Sequence, residues 1–214
     1  METLRQFEYG LSPLALLLLV VYHLYLYRKI CKDPLSTSQG LATRTRTLWV
    51  KSIIQEGKNI LAIQTLRNWT MAATFLASTA ILISLGIFNL TLTAEKQGEL
   101  SLLLGPFASS HPGLWLGKLI LLGANFLFAF FNFILAVRYY NHTGFMINLP
   151  TDADTGISVE DVIEILDRGG MHYTLGMRSY YLTLPLILWL FGPLWLMAGT
   201  LLLIIALYRL DRGV

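Results

Sequence analysis

Four long apolar stretches constrain the fold of this chain more than any other feature. They cover approximately residues 9–27, 69–92, 114–137 and 180–208, and none contains an acidic residue. The only basic residue within them is Lys118, near the start of the third stretch. A membrane-spanning helix needs about 20 consecutive apolar residues, so each stretch is long enough to cross a bilayer.

Composition supports a membrane protein and excludes a soluble one. Hydrophobic residues make up 55% of the 214 residues and charged residues only 14%, whereas soluble domains contain about 25% charged residues. The single cysteine, Cys31, excludes an internal disulfide scaffold. The apolar runs are continuous instead of alternating, which favours helices over a β-barrel. We therefore predict an all-α integral membrane four-helix bundle forming one domain over residues 1–214.

The first stretch does not have the flanking residues of a cleaved signal peptide, and the fourth contains residues that disrupt a straight helix. Glu2 and Glu8 precede the first stretch, where a signal peptide would have a positive segment, so we expect it to remain in the mature protein. The fourth stretch contains Pro185 and the pair Gly192-Pro193. Because proline disrupts helical hydrogen bonds, we predict a kink or a strong tilt there.

The distribution of charge predicts an orientation. The connection over residues 28–68 contains eight basic residues and two acidic ones, and Arg138, Arg168 and Arg178 follow the third stretch. Eleven of the sixteen basic residues thus lie on one side, which the positive-inside rule makes cytoplasmic. We expect a multi-pass protein of the bacterial inner (cytoplasmic) membrane, with both termini outside.

Residues 41–68 are predicted to form one basic amphipathic helix at the membrane surface. Apolar residues recur at helical spacing and oppose a basic stripe. The stripe consists of Arg44, Lys51 and Lys58. Its expected partner is anionic lipid, at about 1 kcal/mol per basic residue. Nucleic acid is not expected, because the aromatic residues lie on the apolar side.

Residues 139–179 form a predicted acidic cytoplasmic loop. Ser158 is placed to cap a short helix, and Gly169-Gly170 is placed to end it. The opposite charges of the two inner segments suggest that they dock, within one chain or between neighbours. The acidic residues are Asp152, Asp154, Glu160, Asp161, Glu164 and Asp167.

Small and weakly polar residues mark faces where membrane helices can approach closely. The predicted helix-packing residues are Thr70, Ala73, Thr74, Ala77 and Ser78 on the second stretch and Asn125 and Asn132 on the third. Buried asparagines need partners, and we expect these to be the hydroxyl groups of the second stretch. The alternative is a polar pathway between subunits.

Three histidines are predicted near the inner membrane boundary: His23, His142 and His172. Three imidazoles could bind a transition metal, and two could bind haem. Their spacing matches no metal or haem motif, so ordinary hydrogen-bonded histidines and the absence of a cofactor are the simpler expectation. The chain also lacks GxSxG, P-loop and GxGxxG motifs, and we expect no enzymatic activity.

Several blocks of sequence resemble a known family. The blocks are residues 58–68 and 71–80, Tyr22-His23, and residues 129–131, 138–142, 144–146 and 175–181. In these blocks the chain resembles the domain of unknown function 599 family of multi-pass membrane proteins, over about residues 20–205. The resemblance implies a membrane location and four spans, and no reaction.

The same blocks indicate a candidate site at the inner boundary. Its residues are His23, Arg67, Asn68, Asn141, His142 and Arg178. They could form a binding site or a structural cluster of hydrogen bonds, and we favour the cluster. The leading functional hypothesis is a non-enzymatic membrane subunit that packs with copies of itself or with another membrane complex. The alternatives are an oligomeric pore and a metal- or haem-binding protein.

Overall fold

The computed structural model describes residues 2–92, 112–150 and 156–212. Six α-helices and one short 3₁₀ helix occupy these ranges, and the described residues contain no β-strand. The helices are α1 (Glu2–Lys32), α2 (Ser38–Glu56), α3 (Asn59–Leu92), α4 (Pro112–Met146), α5 (Val159–Phe191) and α6 (Pro193–Leu210), with the 3₁₀ turn at Pro34–Ser36. The prediction of an all-α bundle is confirmed.

Four helices have the length and composition to cross a membrane, as predicted. The apolar segments are Gly10–Lys32 in α1, Asn59–Leu92 in α3, Gly113–Met146 in α4 and Pro193–Leu210 in α6. Multi-pass membrane architecture therefore follows from both the sequence and the helices. The fourth segment, Pro193–Leu210, does not have the predicted limits of 180–208.

The centre of the bundle is α4, which packs antiparallel to α3 on one side and to α5 on the other. Ser84 on α3 donates to the carbonyl oxygen of Gly123 at 3.0 Å. Asn125 donates to the carbonyl oxygen of Ser179 on α5 at 2.9 Å. Phe133 is fully buried between these helices, and α4 supplies more residues to the central apolar cluster than any other helix.

The fourth apolar stretch is a hairpin and not one kinked helix. Gly192 has a φ of 136°, which L side chains rarely adopt, and Pro193 begins α6. The chain therefore reverses between α5 and α6. A Cβ atom on Gly199 would lie only 3.2 Å from the Cα atom of Pro185, which shows how closely α6 packs against α5. The predicted limits 180–208 thus combined parts of two helices.

The hairpin returns the end of the chain to the end of the bundle where α2 lies, which we name the α2 end. Thr37 and Arg212 form an isolated antiparallel bridge, and the amide of Ser38 donates to the carbonyl oxygen of Asp211 at 3.2 Å. The first residues of α1 lie one helix length away. The two ends of the described chain thus lie at opposite ends of the bundle, whereas the prediction of both termini on one side of the membrane counted α5 and α6 as one span.

The predicted basic helix over residues 41–68 is divided by a turn. Helix α2 ends at Glu56, Gly57 adopts a φ of 65°, and α3 begins at Asn59. A left-handed glycine is a common helix terminator, because it lacks the Cβ atom that makes this conformation costly. Residues 59–68 therefore belong to the first turns of α3.

The predicted acidic loop over residues 139–179 is largely helical. Ser158 caps α5 as predicted, in a reciprocal arrangement with Asp161. Hydrogen bonds from the Ser158 hydroxyl and amide lower the pKa of the Asp161 carboxyl. The helix does not end at Gly169-Gly170, however. A Cβ atom on Gly169 would lie 2.8 Å from the Tyr140 ring, so this glycine permits close packing inside the helix.

Candidate functional site at the α2 end

At the α2 end, Asp211 forms an ion pair with α5 and accepts a hydrogen bond from α1. The Nη2 atom of Arg178 donates to Oδ1 of Asp211 at 2.6 Å, and the Tyr22 hydroxyl donates to Oδ2 of Asp211 at 2.8 Å. The side chains of Arg178 and Asp211 are only 13% and 11% exposed. Charge-assisted bonds at this depth are much stronger than those of exposed pairs, so the carboxylate ties three helices together.

A second ion pair joins α2 to α5. The Nε atom of Arg46 donates to Oδ1 of Asp167 at 2.7 Å, and its Nη2 atom donates to the Thr43 hydroxyl at 2.9 Å. Gly170 makes this approach possible, because a Cβ atom there would lie 2.7 Å from Cζ of Arg46. The planar guanidinium therefore lies directly against the backbone of α5.

The two ion pairs border a polar cavity of about 510 Å³. Its wall includes Arg46 and Asp167 on one side and Arg178 and Asp211 on the other. Arg46 also borders a second cavity of about 440 Å³, which lies between α2 and α3 and has Trp49, Trp69 and other apolar side chains in its wall. We name these the polar cavity and the apolar cavity. Arg46 thus lies between the polar cavity and the apolar cavity and borders both.

A third cavity, of about 550 Å³, lies between α3 and α4. Arg67 and Thr70 of α3 and Asn141 of α4 contribute to its wall. We name it the α3–α4 groove. It contains two of the six residues of the predicted inner-boundary site, whereas Arg178 of the same set borders the polar cavity. The other three residues of the set, His23, Asn68 and His142, border none of these three cavities, so the structure does not bring the predicted site together.

The three histidines of the predicted metal site have separate surroundings. Nδ1 of His23 pairs with the Leu19 carbonyl oxygen of its own helix. His142 is exposed. His172 stacks on Tyr139 and pairs with Asn132. Within the described ranges, no three His, Cys, Asp or Glu side chains are grouped so that they could hold a metal ion. The structure does not assemble the predicted ligand set.

The predicted helix-packing residues occupy two faces. Ala73 and Ala77 are buried against α4, while Thr74 and Ser78 are exposed. Asn125 and Asn132 bond to residues of α5 and not to the hydroxyls of α3. Asn125 donates to the Thr183 hydroxyl at 3.2 Å, and Oδ1 of Asn132 pairs with Nδ1 of His172. Neither Asn125 nor Asn132 is placed on the outer surface that a pore between subunits requires.

The two oppositely charged segments do contact each other within one chain. Of the predicted docking residues, Lys51 lies 3.8 Å from Glu160, in a pair that is largely exposed. Lys58 pairs with its neighbour Glu56, and Arg44 is exposed. The closest contact is the Arg46–Asp167 pair, which the sequence did not single out. Asp152 and Asp154 lie outside the described residues.

Comparison with known proteins identifies the family of the chain. A family model for proteins of unknown function, DUF599, matches residues 11–213. The chain belongs to the DUF599 family. The matched range includes all the residues that border the polar cavity, the apolar cavity and the α3–α4 groove. No curated protein and no solved structure matches the chain.

Sequence reasoning missed three residues that organise the site in this DUF599 protein: Arg46, Tyr22 and Asp211. A signal for Arg46 was present, because it lies at helical spacing from Val50 and Ile53 and so falls on the apolar face of α2. No comparable signal exists for Asp211. Its role depends on the return of the chain through the α5–α6 hairpin.

Proposed function

We propose that this DUF599 chain is a non-enzymatic integral membrane protein that assembles with copies of itself through α3. The observation that carries this proposal is the division of α3 into two faces. One face, with Ala73 and Ala77, packs against α4. The other exposes the small residues Thr74 and Ser78 between the large side chain of Phe75 and that of Leu82.

The exposed face suits helix association in a bilayer. Small residues allow two backbones to approach closely, and membrane helices associate through packing because lipid provides no hydrophobic driving force. The hydroxyl of Ser78 already donates to the Thr74 carbonyl oxygen at 3.0 Å, so it can enter an interface without an unsatisfied donor. The α3–α4 groove continues this surface towards the α2 end.

We further propose that the α2 end faces the cytoplasm. The basic excess of residues 28–68 supports this orientation, and the α5–α6 hairpin brings Arg209 and Arg212 to the same end. The amino terminus would then lie outside and the carboxyl terminus inside, in a bacterial inner membrane. Exposed Arg44 and Lys51 would contact anionic lipid headgroups.

A structural role for the charged residues supports a non-enzymatic protein without a cofactor. Arg46, Asp167, Arg178 and Asp211 are paired with one another across helices. Such pairs hold elements in register instead of presenting a reactive group to a substrate. The polar side chains of α4 that lie in the membrane likewise bond to α5.

Cysteine cross-linking in native membranes tests self-assembly. In a Cys31→Ser background, Ser78→Cys places a thiol on the exposed face of α3. With an oxidant or a short bis-maleimide, we expect a covalent dimer, because two copies would bring their Ser78 positions together at the interface. The dimer is measured as a doubling of mass on a denaturing gel.

Phe128→Cys provides the matched control. Phe128 is 53% exposed on α4, and it lies at a similar depth, because Phe126 of the same helix and Leu76 of α3 both contact Tyr180. It should give little or no dimer. Equal cross-linking of both variants, or none for Ser78→Cys, would contradict assembly through α3.

A further inference from the structure

The apolar cavity lies in the fork between α2 and α3. The two helices meet at the Gly57 turn and contact each other little beyond it, so a space remains between them. Leu66 lines the α3 side, and Tyr140 and Leu166 close the space from α4 and α5. A volume of about 440 Å³ falls within the range of about 300–1,000 Å³ that is usual for small-ligand sites.

The wall of this cavity is apolar with a basic rim. Two arginines, Arg46 and Arg212, contribute to it, and no acidic residue does. Arg46 shares its charge with Asp167. The guanidinium of Arg212 lies over the Tyr208 ring, 4.8 Å from its centroid, and donates to the Tyr208 hydroxyl. It forms no salt bridge with any residue in the described part of the chain.

The residues around the cavity suit the boundary between lipid and water. The cavity lies where the membrane-crossing helix α3 leaves the amphipathic α2, and Trp49, Trp69 and Tyr140 contribute to its wall. Trp and Tyr are enriched at this level of a bilayer. Two of its wall residues, Leu41 and Trp69, are 38% and 46% exposed, so the opening is flanked by apolar side chains.

We propose that the apolar cavity binds one acyl chain of an anionic glycerophospholipid, whose phosphate pairs with Arg46 and Arg212. The apolar wall accommodates the chain, and the two guanidinium groups supply the positive charge that attracts a phosphate. This site is separate from the diffuse attraction of lipid to the basic stripe of α2. It holds one lipid per protein chain and does not depend on self-assembly.

Lipid retention by the purified full-length protein tests the site. The protein in a neutral detergent is titrated with phosphatidylglycerol, with phosphatidylcholine and with glycerol 3-phosphate, and bound molecules are counted by native mass spectrometry. We expect one retained phosphatidylglycerol per chain. Ala42→Phe, which fills the cavity, should lower its affinity about tenfold, and Arg212→Gln about fivefold, since one basic contact is lost.

Ala72→Phe is the matched control, because Ala72 is exposed on α3 away from the cavity, and it should retain the lipid. Thermal unfolding checks that Ala42→Phe is folded, and Arg212→Gln tests the site independently of that variant. Equal retention of phosphatidylcholine would overturn the role of the arginines. Binding of glycerol 3-phosphate as tight as that of the lipid, or unchanged retention in both Ala42→Phe and Arg212→Gln, would overturn the acyl-chain site.

Discussion

Replacing Arg178 by alanine is expected to lower the free energy of unfolding by about 3–5 kcal/mol, because it leaves a buried carboxylate without its cation. Asp211 would keep only the Tyr22 hydroxyl, at 2.8 Å. Asp211 directly follows α6, and its ion pair with Arg178 attaches the end of α6 to α5. We therefore expect α6 to separate from α5 before the rest of the bundle unfolds. Thermal or denaturant unfolding in detergent, followed by circular dichroism, measures the loss.

Arg168→Ala is the matched control for this prediction. Arg168 and Glu164 form an ion pair within α5, and their side chains are 52% and 60% exposed. Loss of an exposed pair should cost at most about 1 kcal/mol. The double replacement Arg178→Met and Asp211→Leu removes both buried charges and should recover much of the stability. Equal effects of Arg178→Ala and Arg168→Ala would show that the Arg178–Asp211 pair does not hold the helices together.

The second large effect is expected from Gly176→Ala in α5. A Cβ atom at this position would lie 2.7 Å from Cε1 of Phe133. Phe133 is fully buried, so its ring cannot move away without disturbing the α4–α5 contact. Overpacking of this kind costs about 1–3 kcal/mol. The melting temperature in detergent should fall accordingly.

Gly117→Ala in α4 separates crowding from the intrinsic effect of the substitution. A Cβ atom on Gly117 would have no atom within 4 Å. Alanine favours the helix over glycine by about 1 kcal/mol, so this variant should be as stable as the native chain or more so. A loss as large as that of Gly176→Ala would mean that the α4–α5 contact is not the cause.

The sequence predicted the membrane-crossing helices well because hydropathy is a property of each segment by itself. It also predicted the Ser158 cap, since a capping residue and its partner lie three positions apart. The residues at which helices end were harder to predict. Gly57 lies in a segment with no proline and continuous helical spacing, and only its left-handed conformation ends α2.

The α5–α6 hairpin shows why the candidate site could not be predicted in full. A Gly-Pro pair inside an apolar run is compatible with a kink and with a reversal, and the choice depends on whether the two halves can pack. Gly199 and Pro185 permit that packing. Because the reversal was not foreseen, Asp211 could not be placed beside Arg178, nor Arg212 beside the apolar cavity.

The return of the chain to the α2 end forms the polar cavity and the apolar cavity, because Asp211 borders the first and Arg212 the second. It is tested most directly by Thr37→Cys combined with Arg212→Cys in a Cys31→Ser background. The two positions form an antiparallel bridge, whose Cα separation of about 4.5–5.5 Å suits a disulfide. Mild oxidation should protect both thiols from maleimide labelling in the monomer, and reductant should restore labelling. A continuous fourth helix would instead place residue 212 roughly 45 Å from Thr37. Two free thiols after oxidation, as expected for the control pair Thr37→Cys and Leu194→Cys, would contradict the fold and the sites derived from it.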